Sequence, residues 1–122
     1  MRFMSIVTAP RSQQYGHPTP ELLEAMGKLA DREIKAGRMI DNGGLMPIDQ
    51  AVRITIVDGK LSVLDGPFVE AKEVIGGYSI TEMASKEEAV ALAIEFMQLH
   101  KDHMPGWEGT CEVRAFAGFA DS

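Results

Sequence analysis

Apolar residues recur at helical spacing in two stretches of the chain. In the first stretch they are Leu22, Met26, Leu29, Ala30 and Ile34, which share one side of a helix. In the second they are Ala89, Ala93, Phe96, Met97 and His100. Helix-start signals precede both stretches, as Thr19-Pro20 and as the S-x-x-E pattern of Ser85 and Glu88. The pattern predicts amphipathic helices over residues 20–36 and 86–101.

Strict alternation of apolar and polar residues marks the strands. Residues 52–57 alternate, Asp58-Gly59 is typical of a two-residue hairpin turn, and residues 61–64 return. Further strands are predicted over residues 1–7, 38–40, 78–83 and 111–115, with Gly76-Gly77 opening the strand over residues 78–83. We expect residues 10–18 and 42–47 to be irregular because they are rich in Gly, Pro and Asn.

The order of elements is β-α-β, an inserted hairpin, then β-α-β. This order predicts one ferredoxin-like α+β domain over residues 1–122, with both helices on one face of a mostly antiparallel sheet. The strands are apolar on both faces, however, since Met4 and Ile6 lie opposite Phe3 and Val7. No helix remains to cover the second face. We therefore expect a homodimer that buries the sheet face away from the helices.

Composition and charge exclude some functions. The formal net charge of −6 argues against nucleic acid, whose phosphates require clustered Lys and Arg. One cysteine, Cys111, permits no intrachain disulfide, as is usual in a reducing cytoplasm. The apolar start of the chain ends at Thr8, too soon for a signal peptide or a membrane span. We expect a cytoplasmic protein that binds neither nucleic acid nor membrane.

The polar residues 65–73, which follow the hairpin, are the candidate site. Lys72 could neutralise a small anionic ligand while a nearby carboxylate moves protons, which requires a partly desolvated pocket. Asp65 is expected to hold the turn through backbone amides rather than touch a ligand. The alternative is a structural corner whose charges are solvated. The predicted ligand-binding residues are Asp65, Phe68, Glu70, Lys72, Glu73 and Tyr78.

The three histidines leave their roles open. His17 precedes a proline in a predicted loop, whereas His100 and His103 are spaced i, i+3. Two imidazoles at this spacing could share a metal ion, but the sequence offers no third ligand. The alternative is that they are favoured by the dipole at a helix C-terminus. No dinucleotide or phosphate-loop motif is present, and we predict neither metal nor cofactor.

The sequence DGPFVEAKE at positions 65–73, followed by Gly76-Gly77-Tyr78, resembles the signature of the YCII-related (DGPF) family. The likeness extends over almost the whole chain and includes Lys35-Ala36-Gly37 and Trp107-Glu108-Gly109. The resemblance implies a ferredoxin-like dimeric α/β barrel, in which the sheets of two chains pack face to face.

The resemblance implies no single activity. Some relatives in the wider superfamily are enzymes on small aromatic or lactone-type acids, and are thought to pair a first-helix histidine with an aspartate. Here Met26 lies near the histidine's position and Asp102 could occupy the aspartate's region, so that pair is incomplete. Other DGPF proteins resemble accessory partners of extracytoplasmic-function sigma factors.

Two functions follow as alternatives. The first is a dimeric small-molecule-binding protein, with a regulatory sigma-factor link as one form of it. The second is a lyase- or isomerase-type enzyme on a small acid, using carboxylate and lysine acid–base chemistry. A third and weaker alternative, a protein–protein adaptor, would need an apolar patch that stays exposed after dimerisation.

Overall fold

The computed structural model describes residues 1–13 and 18–118, and it is a mixed α+β structure with two helices and antiparallel sheets. Its strands and helices are β1 (Arg2–Pro10), α1 (Pro20–Lys35), β2 (Met39–Gly44), β3 (Val52–Val57), β4 (Lys60–Asp65), β5 (Glu73–Glu82), α2 (Lys86–His103) and β6 (Thr110–Ala115). The predicted element order is confirmed and is compatible with a ferredoxin-like fold.

The main sheet has four strands in the order β2-β5-β1-β6, with each pair antiparallel. Its small core contains Phe3, Met83 and Ala89, so the odd-numbered residues of β1 face the helices. Met4 and Ile6 consequently lie on the opposite face, which we call the outer sheet face.

Both helices start where the sequence signals place them. Thr19 Oγ accepts a hydrogen bond from the Leu22 amide at 3.1 Å, and Ser85 Oγ accepts one from the Glu88 amide at 3.2 Å. The carboxylate of Glu88 accepts from the amide of Ala84 at 3.0 Å, one residue earlier than an ideal capping box. Capping chemistry therefore determines the starts of α1 and α2.

The predicted hairpin is confirmed but stands apart from the main sheet. Asp58 and Gly59 have φ values of 51° and 76°, the left-handed pair that a two-residue hairpin turn requires. β3 and β4 pair only with each other within the described residues. The hairpin therefore adds no strand to the four-stranded sheet.

The predicted boundaries of three strands were too short. β1 continues to Pro10, β2 to Gly44, and β5 begins at Glu73 rather than after the glycines. A Cβ on Gly77 would lie 2.9 Å from the carbonyl oxygen of Gly43. The glycines therefore allow β2 and β5 to approach each other, and they lie inside strands rather than between them.

At the C-terminal end of α1, Glu33 is buried and Ile34 is exposed, contrary to the predicted apolar stripe. Two arginines explain this arrangement. Arg38 donates to both carboxylate oxygens of Glu33 at 2.8 and 2.7 Å, and Arg32 donates to it at 2.9 Å. Arg32 also forms a two-bond pair with Glu95 of α2, at 2.7 and 2.8 Å. This ionic network connects α1 to α2 and to the start of β2.

Candidate functional site

The 65–73 segment forms a corner between the hairpin and the main sheet. The amide of Gly66 donates to the carbonyl of Ala51 at 3.0 Å, and a Cβ on Gly66 would lie 2.6 Å from the carbonyl oxygen of Asp49. Arg11 donates to the Phe68 carbonyl and to the Asp49 carboxylate. These bonds hold the corner from the backbone side.

Phe68 is the buried residue of this corner, and Arg53 covers it. The Arg53 guanidinium carbon lies 3.9 Å from the centre of the Phe68 ring, and its Nη1 donates to Glu70 at 2.8 Å. A hydrogen bond from its own backbone, and then the bond from Arg53, lower the pKa of Glu70 below its usual value. Glu70 is therefore an anion committed to Arg53 rather than a proton donor at neutral pH.

The other predicted site residues lie apart. Asp65 is exposed, and within the described residues its carboxylate accepts no hydrogen bond. Lys72 is exposed. Glu73 lies on β5 beside a shallow groove of about 480 Å³ that also contains Lys101. Tyr78 donates to Asp41 at 2.9 Å, which raises the pKa of the phenol.

Of the six predicted ligand-binding residues, the structure thus joins Phe68 and Glu70 through Arg53. Tyr78 pairs with Ile6 of β1, and it is also among the residues that line a cavity between the helices and the sheet. The ligand role of Asp65, Phe68, Glu70, Lys72, Glu73 and Tyr78 stays a prediction.

A larger cavity of about 550 Å³ lies between the two helices and the sheet. Its apolar side chains include Leu22, Met26, Leu29, Phe96 and Trp107. Its polar groups include Ser5, Asn42, Ser79, Thr81, His100 and Cys111. None of the described residues that line this cavity is Asp, Glu, Lys or Arg. The cavity is therefore apolar with a few neutral hydrogen-bonding groups.

His100 is the most constrained polar group of the cavity. Its ring lies between Phe96 and Trp107, with ring centres 4.7 and 4.5 Å away, and only 8% of the residue is exposed. Its Nδ1 lies 3.1 Å from the carbonyl oxygen of Phe96. Because a carbonyl oxygen only accepts, this contact places a proton on Nδ1, and in the neutral imidazole Nε2 is then the acceptor.

Cys111 is a neutral thiol in the same cavity. Burial raises the pKa of its thiol, and a hydrogen bond with Ser5 opposes this only in part. The thiolate is the nucleophilic form of cysteine. Cys111 therefore contributes packing and a weak hydrogen bond rather than a reactive sulfur.

The cavity opens between the first half of α1 and the segment after β2. Four of its large apolar lining residues are more than half exposed: Leu23 at 54%, Leu45 at 53%, Met46 at 70% and Ile75 at 51%. Lining residues that also face solvent mark the opening of a cavity, so a ligand can enter there without unfolding the helices.

This cavity was not predicted from the sequence, although a signal for it is present. The strand residues that face the helices include the small polar Ser5, Ser79 and Thr81, and the facing helix positions include Ala30 and Ala93. Small residues on both sides of a layer leave space between sheet and helices. A core predicted only from apolar periodicity does not reveal that space.

The remaining predictions on histidines and membranes have plain outcomes. His17 lies outside the described residues. The carbonyl of His103 accepts a hydrogen bond from Thr19 at 2.6 Å and so joins the ends of the two helices. Within residues 1–13 and 18–118, no three His, Cys, Asp or Glu side chains lie close enough to hold a metal ion. No helix in this part of the chain has the length and apolar character to cross a membrane.

Comparison with known proteins agrees with the resemblance seen in residues 65–73. A family model described as YCII-related domain matches residues 1–97 of the 122. The chain belongs to the YCII-related domain family. It is also 30% identical over 84 residues to an uncharacterized protein of Rhizobium meliloti (strain 1021).

The alignment with the Rhizobium meliloti protein covers 69% of this chain and 64% of that relative, which is less than two thirds of its length. The residues that match the YCII-related model, 1–97, include β1 to β5, α1 and most of α2. His100 and Trp107 lie beyond them. Membership of the family therefore supports the fold, whereas the class of ligand is inferred from the cavity.

Proposed function

We propose that this YCII-related protein is a dimeric small-molecule-binding protein whose ligand occupies the cavity between helices and sheet. The observation that carries the proposal is the cavity itself. At about 550 Å³ it falls within the usual range of about 300–1,000 Å³ for ligand pockets, which are mostly apolar with few polar groups. The tethered imidazole of His100 is the polar group best placed to orient a ligand.

The lining indicates the chemical class of the ligand. With no charged side chain among the described lining residues, burial of an ionised ligand would be costly. A neutral ring compound with one hydroxyl group fits better, because its ring can contact Phe96 and Trp107 and its hydroxyl can donate to His100 Nε2. A small anion, as predicted from Lys72, would have to bind at the 65–73 corner instead.

The dimeric part of the proposal follows from the outer sheet face. Met4, Ile6 and Ile80 lie there in register, with no helix of the described chain above them. A second copy that packs its own outer sheet face on this one would bury both and form the dimeric barrel that the family resemblance implies.

The enzyme and sigma-factor hypotheses are the weaker proposals. The enzyme hypothesis requires Glu70, Lys72 and Glu73 to act together, but Glu70 is paired with Arg53 and Glu73 lies beside a different groove. No observation on the described residues favours a sigma-factor partner over other regulatory roles. We therefore keep ligand binding as the function to test first.

Filling the cavity should weaken binding. We expect Ala93→Leu to weaken binding of 1-naphthol by about tenfold or more, because Ala93 is buried in the cavity lining and the larger side chain occupies ligand space. The fluorescence of Trp107, the single tryptophan, reports binding directly. Ala91→Leu is the matched control, since Ala91 is exposed on the same helix. Equal binding by both variants would place the ligand elsewhere.

His100 should contribute through its acceptor nitrogen. We expect His100→Phe to weaken binding of 1-naphthol by about tenfold, the loss of one buried hydrogen bond. Binding of 1-methylnaphthalene, which has no hydroxyl, should change by less than about twofold because the aromatic contact remains. An equal loss for both compounds would show that His100 acts by packing alone.

A further inference from the structure

The hairpin arm, residues 52–65, carries an apolar face that nothing in the described chain covers. Its pairing puts Ile54 beside Val63 and Ile56 beside Leu61 on one face. These four side chains are 66, 63, 73 and 68% exposed. Val52, 55% exposed, extends the same face. The opposite face pairs Thr55 with Ser62 through a 2.7 Å hydroxyl hydrogen bond. That face also carries Val57 and Leu64, 65 and 48% exposed, beside Arg53 and Lys60. The arm is thus more apolar on the Ile54 face than on the Thr55 face.

The base of the arm prevents this face from folding back onto its own chain. Gly66 is bonded to Ala51 across the two ends of the hairpin at 3.0 Å. Arg53 is held between the Phe68 ring and Glu70, at 3.9 and 2.8 Å. The Arg53 contacts lie on the face opposite Ile54. The apolar face is therefore held in a fixed direction, away from the body of the protein.

The chain exposes more surface than a compact monomer of its mass, and the excess is similar to the area that each chain buries in a stable dimer. The chain exposes 8383 Å², whereas a compact monomer of 13.3 kDa exposes about 6,500 Å². The excess is roughly 1,900 Å², and an obligate dimer buries about 1,000–2,500 Å² of each chain. Apolar patches beyond a few hundred Å² are rare on monomers.

We propose that the hairpin arm is a dimerisation arm whose apolar face packs against a second copy of this chain. A second copy is favoured as the occupant because each chain carries, besides the arm, a second apolar surface that is partly exposed, the outer sheet face with Met4, Ile6 and Ile80. A two-fold dimer covers such surfaces on both chains at once. Apart from Asp65 at its base, the arm's apolar face carries no charged side chain, so the net charge of −6 opposes this contact little. The inference rests on the dimer in the proposed function and adds the element that forms it.

The test measures dimer dissociation of the full chain by sedimentation velocity for wild type, Ile54→Glu, Thr55→Glu and Ile6→Glu. We expect a wild-type dimer and a rise in the dissociation constant of about a hundredfold or more for Ile54→Glu, since a charge would enter an apolar interface. Thr55→Glu, on the other face, should change it by less than about threefold. Because Ile54 is exposed within one chain, the variant should fold, which circular dichroism checks.

Several outcomes separate the arm from the rest of the proposal. A wild-type monomer, or an Ile54→Glu dimer as tight as wild type, would overturn the arm hypothesis. If Ile6→Glu dissociates the dimer and Ile54→Glu does not, the sheet-face dimer stands without the arm. Binding of 1-naphthol by dissociated Ile54→Glu would leave the cavity function intact. Hydroxyl-radical labelling of Ile56 and Leu61 should rise when the wild-type protein is diluted, a check that needs no substitution.

Discussion

Phe68→Ala is expected to lower the free energy of unfolding by about 3–5 kcal/mol, the cost of removing a buried aromatic side chain. Phe68 is only 6% exposed, and its ring supports the Arg53 guanidinium at 3.9 Å. Its removal leaves a cavity and also deprives Arg53 of the surface on which it lies. Denaturant unfolding followed by circular dichroism, at one fixed protein concentration, measures the change.

The neighbouring residue supplies the control. Val69 is 80% exposed, so Val69→Ala should change stability by no more than about 0.5 kcal/mol. Similar losses for Val69→Ala and Phe68→Ala would contradict the assignment of Phe68 as the buried residue of the corner. Binding of 1-naphthol by folded Phe68→Ala should be unchanged, because Phe68 does not line the helix–sheet cavity.

Local signals in the sequence predicted the helices and the hairpin well. Thr19, Ser85 and Asp58-Gly59 each satisfy or impose a backbone requirement within a few residues of themselves. Such chemistry needs no knowledge of the rest of the fold. The starts of both helices and the hairpin turn were therefore predictable to the residue.

Features that depend on distant partners were not predictable in the same way. The glycine pair 76–77 was interpreted as the opening of a strand, whereas Gly77 lies within β5 because Gly44 and Val7 pair with it from two other strands. The sequence likewise contains Lys72 and Glu73 side by side, but β5 places Glu73 beside the groove of Lys101. Proximity along the chain suggested one pocket, whereas the groove beside Glu73 is lined by residues from distant parts of the chain such as Lys101 and Trp107.

The cavity was missed for a related reason. Apolar periodicity identifies which side of a helix faces inward, and it assigned His100 correctly to the inner side of α2. It carries no information on how tightly the facing layers fill. The position of Trp107 against His100, with ring centres 4.5 Å apart, arises only when the turn after α2 brings the indole back over the helix.

Near the end of α1, apolar periodicity predicted that Ile34 faces inward, whereas Glu33 is the buried residue. The second large prediction concerns Glu33. Glu33→Gln is expected to lower the free energy of unfolding at neutral pH by about 2–3 kcal/mol, with the exposure of both arginines taken into account. The hydrogen bonds from Arg38, and then from Arg32, hold the pKa of the Glu33 carboxyl at about 2, below its ordinary value of 4.5. Glutamine keeps the shape of the side chain and removes the charge that both arginines bind.

The same pKa shift predicts the pH dependence. A carboxyl group whose pKa is lower in the folded than in the unfolded chain stabilises the fold fully above the unfolded pKa. Its contribution is lost as the pH falls from about 4.5 through about 2. The difference in unfolding free energy between wild type and Glu33→Gln should therefore be constant near neutral pH and shrink steadily below pH 4.5. Denaturant titrations at several pH values measure it.

Glu24→Gln is the matched control on the same helix. Glu24 pairs with Lys28 at 3.1 Å, but the two side chains are 70 and 77% exposed, so this substitution should cost no more than about 0.5 kcal/mol at any pH. If Glu33→Gln lowered the free energy of unfolding as little as Glu24→Gln, the ion pairs of Glu33 with Arg32 and Arg38 would stabilise the fold no more than an exposed ion pair does. A loss of about 2–3 kcal/mol that persisted unchanged at low pH would instead mean that Glu33 stabilises the fold by hydrogen bonds that do not depend on its charge, since the charge is removed there by protonation and glutamine replaces one acceptor oxygen with an NH2 group.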